Sequence, residues 1–290
     1  MTVKVQTVCI IGTGLIGGSL ALALKQSGFC SRVVGAGRTE ATLKKAIELG
    51  VIDHYETDFS LAVKDADIVV VAVPLSAMKN VFEQIAPGLS TTAIVTDAGS
   101  AKQTVINDAE SVFAANANRF VPGHPISGTE KSGVTAAFVE LYENRKVILT
   151  PTDNTDANAL KLVTEMWQAT GAEVESMSAQ HHDMVLAGTS HLPHILAFGL
   201  VDCLNNLKEV DEVFRFAAGG FRDFTRIASS DPVMWRDICL SNREDILDMI
   251  KKYQDELQMI NNALQDSNGD DLIEIFERAK KARDLFNNQL

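Results

Sequence analysis

Along the first 177 residues short apolar runs alternate with longer amphipathic ones. The runs at 5–11, 32–35, 68–73, 93–96, 119–121, 146–149 and 173–175 have the length of buried strands. Segments 40–49, 78–85 and 157–170 between them repeat apolar positions at helical spacing. This alternation predicts an α/β fold with a doubly wound parallel sheet, the later strands added at one edge. After Met177 the strand signal fades, and 179–207, 209–216, 232–264 and 271–285 carry helical periodicity. The chain therefore divides into an α/β domain, residues 1–177, and an all-helical domain, residues 178–290. The stretch 184–204 is long, apolar and poor in charge. A helix buried within one chain shares that pattern with one packed on a second subunit, and a homodimer through the helical domain is expected.

The first apolar run, Val8-Cys9-Ile10-Ile11, leads into Gly12-Thr13-Gly14-Leu15-Ile16-Gly17 and then a helical segment ending in Lys25. Strand, glycine-rich turn and helix in that order form a dinucleotide fingerprint, which makes residues 1–177 a Rossmann domain. Gly12 permits the turn, Gly14 lets the backbone approach a pyrophosphate, and Gly17 lets helix and strand pack. Leu15 and Ile16 at the helix start are expected at the phosphates, and Val73 and Pro74 at the exit of a neighbouring strand are expected at the same cofactor. The competing reading is a secretion signal, since residues 8–24 carry no charge and Lys4 precedes them. Glycines at 12, 14, 17 and 18 interrupt that segment and no small-residue cleavage site follows, which excludes it. About twenty residues past such a fingerprint an acidic side chain normally holds the ribose 2′-hydroxyl of NAD. Here Val33-Val34-Gly35-Ala36-Gly37-Arg38-Thr39 offers none, and Arg38 with Thr39 would meet a 2′-phosphate. NADP is therefore favoured and NAD stays open; the alternative leaves Arg38 solvated and brings Glu40 to the ribose.

Composition narrows the partners. With 290 residues, 46% of them hydrophobic, the chain can fill two cores. A net charge of −12 argues against nucleic acid and anionic membranes, which demand a basic face, but not against a small anion held by one or two arginines. Cys9, Cys30, Cys203 and Cys239 lack C-x-x-C or metal-ligand spacing, the pattern of a reducing, cytoplasmic interior.

Candidate chemistry lies in separate patches. Asp97-Ala98-Gly99-Ser100-Ala101-Lys102 follows a strand at the carboxyl edge of the sheet, where ligands of such folds bind; Asp97 itself reads first as a helix cap. Gly123-His124-Pro125-Ile126-Ser127-Gly128 leaves the same edge and offers His124 as a titratable base near a hydride acceptor. In the helical domain, Asp183, Ser190 and His194 fall on one stripe of an uninterrupted helix, while His181 and His182 are expected on the surface near its start. His191 and His194 raise a metal site, but Pro193 disturbs the turn between them and no further ligand cluster completes a set, so no metal is expected.

The segments 123–133 (Gly-His-Pro-Ile-Ser-Gly-Thr-Glu-Lys-Ser-Gly), 97–100 (Asp-Ala-Gly-Ser), 190–194 (Ser-His-Leu-Pro-His), 221–226 (Phe-Arg-Asp-Phe-Thr-Arg) and 231–235 (Asp-Pro-Val-Met-Trp) together resemble the prephenate/arogenate, or cyclohexadienyl, dehydrogenases of tyrosine biosynthesis. The likeness runs from the fingerprint to about Asn261. It implies a Rossmann domain joined to a helical dimerisation domain, and NAD(P)-dependent oxidative decarboxylation of prephenate and/or arogenate to 4-hydroxyphenylpyruvate and/or tyrosine. It also implies that His124 takes the proton of the ring C4 hydroxyl, that Ser100 orients both, and that Arg226 grips a substrate carboxylate with Arg222 as its substitute. His194 and Trp235 would line the substrate pocket, and Glu130 and Asp183 would pair with Arg226. The chain departs from many relatives in lacking the acidic residue of the cofactor strand. About thirty residues follow Asn261, without the regulatory domain that some members append; feedback by tyrosine stays open, and any inhibition would most simply be competition at the active site. Two rivals are weaker. Hydroxyacid dehydrogenases of similar organisation use a lysine on the first long helix of the second domain, and 179–204 contains none. A non-catalytic NADP-binding sensor would have no use for His124, Ser100 and Arg226 together. Pyruvyl and alanyl side chains both suit these residues, with a negative field from Asp183 or Glu130 favouring the ammonium.

Overall fold

β1 (Val5–Ile11) is buried at every residue but Gln6, as a strand covered by helices on two faces must be. The structure, a computed structural model, describes residues 4–129, 131–208 and 210–287. From β1 the chain winds one way through α1 (Leu15–Ser27), β2 (Cys30–Ala36), α2 (Glu40–Glu48) and β3 (His54–Glu56). It then winds the other way through α3 (Phe59–Ala62), β4 (Ile68–Val71), α4 (Leu75–Ile85), β5 (Ile94–Asp97), α5 (Gln103–Phe113) and β6 (Phe120–Val121). The result is a six-stranded parallel sheet in the order β3-β2-β1-β4-β5-β6. Winding direction reverses between β1 and β4, so the connections leaving their carboxyl ends part and open a crevice. One apolar cluster, with Ile10, Leu24 and Trp167, packs on one face, and another, with Ile11, Phe82 and Phe113, on the other.

The later strands do not extend that sheet, contrary to the expected edge addition. Pro122 follows β6 and has no N–H for a ladder; its carbonyl accepts from the Thr150 N–H at 2.9 Å. The chain turns there into β7 (Gly123–Pro125), which pairs antiparallel with β8 (Lys146–Leu149). After α6 (Ala157–Gln168), β9 (Glu173–Ser176) joins β8 in parallel to complete a separate three-stranded sheet.

The apolar run expected as one helix over 179–207 is α7 (Ala179–Leu186), a π turn over Ala187–His191, and α8 (Leu192–Asn205). Pro193 has no N–H to offer the carbonyl one turn before it, and the backbone widens immediately upstream. By length and composition Ala179–Asn205 is apolar enough to cross a bilayer. Met184 and Leu200 stand on its surface. Next come α9 (Val210–Arg215), α10 (Gly219–Thr225), a 3₁₀ turn over Arg226–Ser229 and α11 (Pro232–Ser241). The run expected as one helix over 232–264 breaks at Asn242, whose side-chain amide donates to the Asp183 carbonyl at 2.8 Å. The described residues through Arg243 form one compact unit and those from Glu244 a second, an α-hairpin of α12 (Arg243–Gln265) and α13 (Gly269–Asn287).

Candidate active site

Gly12 leaves β1 with φ +96°, a conformation that side chains disfavour, and a Cβ there would stand 2.3 Å from the Ala72 carbonyl oxygen. At Gly17 a Cβ would meet the Gly12 carbonyl oxygen at 2.1 Å, so α1 can lie on the turn only as glycine. Gly14, by contrast, begins α1 without a side-chain cap and faces open space. A helix start of that kind presents N–H groups to an anion. From it a cleft of about 720 Å³ runs past Arg38, Thr39, Val73 and Pro74. None of its described lining residues is a carboxylate. Glu40, the alternative ribose ligand, accepts from the Tyr55 hydroxyl at 2.8 Å and pairs with Lys44 at 3.1 Å. Backbone cradle, open helix start and cation at the far end fit a dinucleotide.

A second cavity, of about 410 Å³, shares Gly14 and Ala72 with the cleft. Leu15 and Ile16, expected at the phosphates, line this cavity instead. Ser100 reaches it from the β5–α5 connection, His124 from β7, Ser190 and His191 from the π turn, and Trp235 from α11. The Trp235 indole N–H has no acceptor among the described residues. His194 is behind the wall, stacked on that indole with centroids 3.7 Å apart and planes at 21°. Its Nδ1 donates to the Ser190 carbonyl at 2.9 Å. Burial holds His194 below the ordinary imidazole value, the Ser190 bond opposes that, and the charge of Arg226 adds to it. Arg226 itself is exposed at the start of the turn after α10, outside the cavity lining, and Arg222 is exposed one turn earlier. Glu130 lies outside the described residues.

Buried charge holds the wall around His124. Lys102 is fully buried and donates to Asp97 at 2.5 Å and to the Gly123 carbonyl at 2.8 Å. Asp97 also accepts the N–H groups of Gly99 at 2.7 Å and Gly123 at 3.0 Å. Rather than capping a helix, Asp97 clamps the loop of Ser100 to the strand of His124. Burial pushes the Lys102 ammonium below its usual value against the pull of Asp97. The cap of α5 is Asp183, which accepts from the N–H groups of Lys102 at 2.8 Å and Gln103 at 2.9 Å. Asp183 is 2% exposed and bonded to the start of α5, and the π turn, which rotates less per residue than an α-helix, takes it off the Ser190–His194 stripe.

His181 is exposed, but His182 is fully buried, contrary to its expected surface position. His182 Nδ1 lies 2.7 Å from Asp183 Oδ1, and its Nε2 lies 2.8 Å from His124 Nδ1. Burial drives His124 well below the ordinary imidazole value, and His182, Lys102 and His191 push the same way. His191 falls to about 4, chiefly by burial. For Asp183 burial raises the carboxyl, but hydrogen bonds from His182, Gln103 and Lys102 outweigh it and hold the group ionised below its usual range. A neutral imidazole on the wall of a cavity that adjoins a dinucleotide cleft can accept a proton there. Lys102 and His182 escaped the sequence reading; the available signals were opposite charges flanking the Gly99-Ser100 turn and a His-Asp step at a helix start.

Comparison with known proteins bears on this arrangement. The chain matches the prephenate dehydrogenase nucleotide-binding domain over residues 20–176 and the prephenate dehydrogenase dimerization domain over residues 178–278. It is 40% identical over 281 residues to a prephenate dehydrogenase of Bacillus subtilis, covering 96% of this chain and 76% of that protein. It is 37% identical over 280 residues to a cyclohexadienyl dehydrogenase of Zymomonas mobilis, covering 95% and 94%. The crystal structure of prephenate dehydrogenase from A. aeolicus with hydroxyphenyl propionate and NAD+ superposes with a TM-score of 0.92 at 40% identity, covering 99% of this chain and all of that one.

Proposed function

The chain belongs to the prephenate dehydrogenase family, an oxidoreductase family, and on that premise we propose that it oxidatively decarboxylates prephenate and/or arogenate in tyrosine biosynthesis. The observation that carries this reading is the junction at Gly14 and Ala72, where the dinucleotide cleft opens onto a cavity walled by His124. NAD(P)+ when bound supplies a hydride acceptor. Gly12, Gly14, Gly17, Arg38, Thr39, Val73 and Pro74 would hold it, with Leu15 and Ile16 at the cavity mouth.

In the proposed reaction hydride leaves C4 of the cyclohexadienol ring while His124 takes the proton of the C4 hydroxyl. The C4 oxygen becomes a carbonyl, the C1–carboxylate bond then breaks, its electron pair moving through the ring onto that oxygen as CO2 departs, and protonated His124 returns its proton to the phenolate. The product is a phenol, and aromatisation drives the step. The chain's task is alignment and removal of one proton. Ser100 lines the same cavity as Gly14 and His124 and would hold the hydroxyl toward His124. Arg226 would bind a substrate carboxylate with Arg222 as its substitute, a bidentate contact stronger than a lysine's. Trp235, with a spare indole N–H and backed by His194, would meet the remainder of the ring and side chain. Glu130 and Asp183 belong to this set as residues acting on the site's charge, Asp183 through the groups it bonds.

NADP is the preferred cofactor on this reading, with NAD as the alternative, because the cleft offers Arg38 and no carboxylate among its described lining residues. Residues 1–177 are taken as the dinucleotide domain and 178–290 as the helical domain, whose exposed apolar residues Met184 and Leu200 a second copy would cover in a cytoplasmic homodimer. Reduced-nicotinamide absorbance, with prephenate and arogenate each crossed against NAD and NADP, tests the reading. Rapid reduction with NADP and either substrate is expected; silence in all four combinations overturns it.

A further inference from the structure

We infer that His182 and Asp183 are positioning residues for His124: they fix the proton of His124 on Nδ1 and leave Nε2 as the bare nitrogen available to the cavity. The inference rests on the reading of His124 as the base. It follows from the direction of a hydrogen-bond chain whose far end is unambiguous. Asp183 accepts from two backbone N–H groups, Lys102 and Gln103, at 2.8 and 2.9 Å. Those donors hold the carboxylate ionised, so it can only accept. The partner on its Oδ1, His182 Nδ1 at 2.7 Å, must therefore carry a hydrogen. In a neutral imidazole protonated on Nδ1 the other nitrogen is a lone pair. His182 Nε2 then accepts across 2.8 Å, and His124 Nδ1 must donate. The remaining nitrogen, His124 Nε2, is the acceptor left for a substrate hydroxyl.

The same chain acts after proton uptake. When His124 becomes an imidazolium its charge sits 8% exposed among groups that oppose it: Lys102 from the β5–α5 connection, His191 from the π turn and the His182 ring from α7. Asp97 faces this set too, but it is paired with Lys102. Asp183 is the anion bonded to the His182 ring, and His182 carries its influence to His124 through two short bonds. Without Asp183 the charged form of His124 would be harder to reach, and His182 would be free to turn its proton the other way. Two effects follow that loss of packing alone does not produce. The plateau of kcat would fall while the acid limb of kcat/KM, which reports deprotonation of the base in the free enzyme, would move to lower pH.

The test uses the full-length protein. Long-range ¹H–¹⁵N NMR of ¹⁵N-histidine-labelled wild type, without substrate, should show His124 and His182 as neutral imidazoles protonated on Nδ1; a His124 protonated on Nε2 overturns the inference whatever the activity. Asp183→Asn should lower kcat at least about tenfold with KM within about twofold, and shift the acid limb downward. An unchanged profile, or a fall in kcat with no shift, also overturns it. His124→Asn is measured alongside. If that variant keeps its kcat, the base assignment fails, and the tautomer measurement still judges the hydrogen-bond chain on its own.

Discussion

The dinucleotide cleft and the cavity that meets it at Gly14 and Ala72 solve opposite problems. The cleft works by leaving atoms out: at Gly12 and Gly17 any side chain would collide with a carbonyl, and at Gly14 the space stays open. Its polar service comes from backbone, a helix start and uncharged side chains such as Thr39 and Asn80, with Arg38 as the charged side chain among the described lining residues. The cavity works by putting polar groups in. His124, His182, Asp183, Asp97 and Lys102 are all buried beneath or within its wall, and each makes a hydrogen bond to another buried group. Burying such groups without partners would cost several kcal/mol each. A phosphate site can thus be made from one short turn, whereas a poised base needs a shell gathered from several elements.

That contrast can be broken or sharpened. The largest effect is expected at the base: His124→Asn should lower kcat roughly 10²- to 10⁴-fold and leave KM far less changed, measured by steady-state kinetics. A loss confined to KM would move His124 from the reaction to binding. In the cleft, Gly17→Ala should cost about 3 kcal/mol of stability, because the added methyl has no route around the Gly12 carbonyl. Urea denaturation reads this, and wild-type stability with intact nucleotide binding would show that the turn yields.

Next in size is the acid response of the buried histidines. His191 has a folded value of about 4 against an ordinary value near 6.5, so the unfolded chain takes up a proton first as pH falls. Its neutral burial therefore adds nothing lost above about pH 6.5, and stability drains away as pH drops from there toward 4, by about 2 kcal/mol at pH 5. His124 contributes in the same direction. Comparing urea midpoints at pH 7 and pH 5, His191→Gln should lose less than wild type. An equal loss would place the acid sensitivity elsewhere. The smallest effect belongs to the cleft's rim: Arg38→Gln should reduce the NADP-over-NAD ratio of kcat/KM about tenfold. An unchanged ratio would remove Arg38 from cofactor choice.

Legibility in the sequence followed how far apart the cooperating residues lie. The parallel sheet, the fingerprint and the helical second half were readable because period and turn chemistry are local, and the motif around His124 was readable because it is contiguous. Asp183 was placed on one stripe with Ser190 and His194, since a uniform helical step assumes no π turn, and Pro193 makes one; its expected pairing with Arg226 came from the family resemblance. His182 was given to solvent because a histidine near a helix start normally sits there. Asp97 looked like a cap for the helix just after it, while the true cap of α5 arrives from 80 residues away.

The amino-acid order alone determined the apolar strands, though not the short β3 (His54–Glu56) and β7 (Gly123–Pro125), the glycine turn that no other residue fits, and the absence of a carboxylate at the end of β2, because each depends on a few neighbouring residues and their steric or electrostatic character. Only the tertiary structure decided that Pro122 splits the later strands into their own sheet and that Lys102 is buried against Asp97. It alone decided that Asp183 reaches His124 through His182. Those outcomes depend on which distant groups share a dry interior, where an unpaired polar atom is costly and a partner from anywhere in the chain is stabilising.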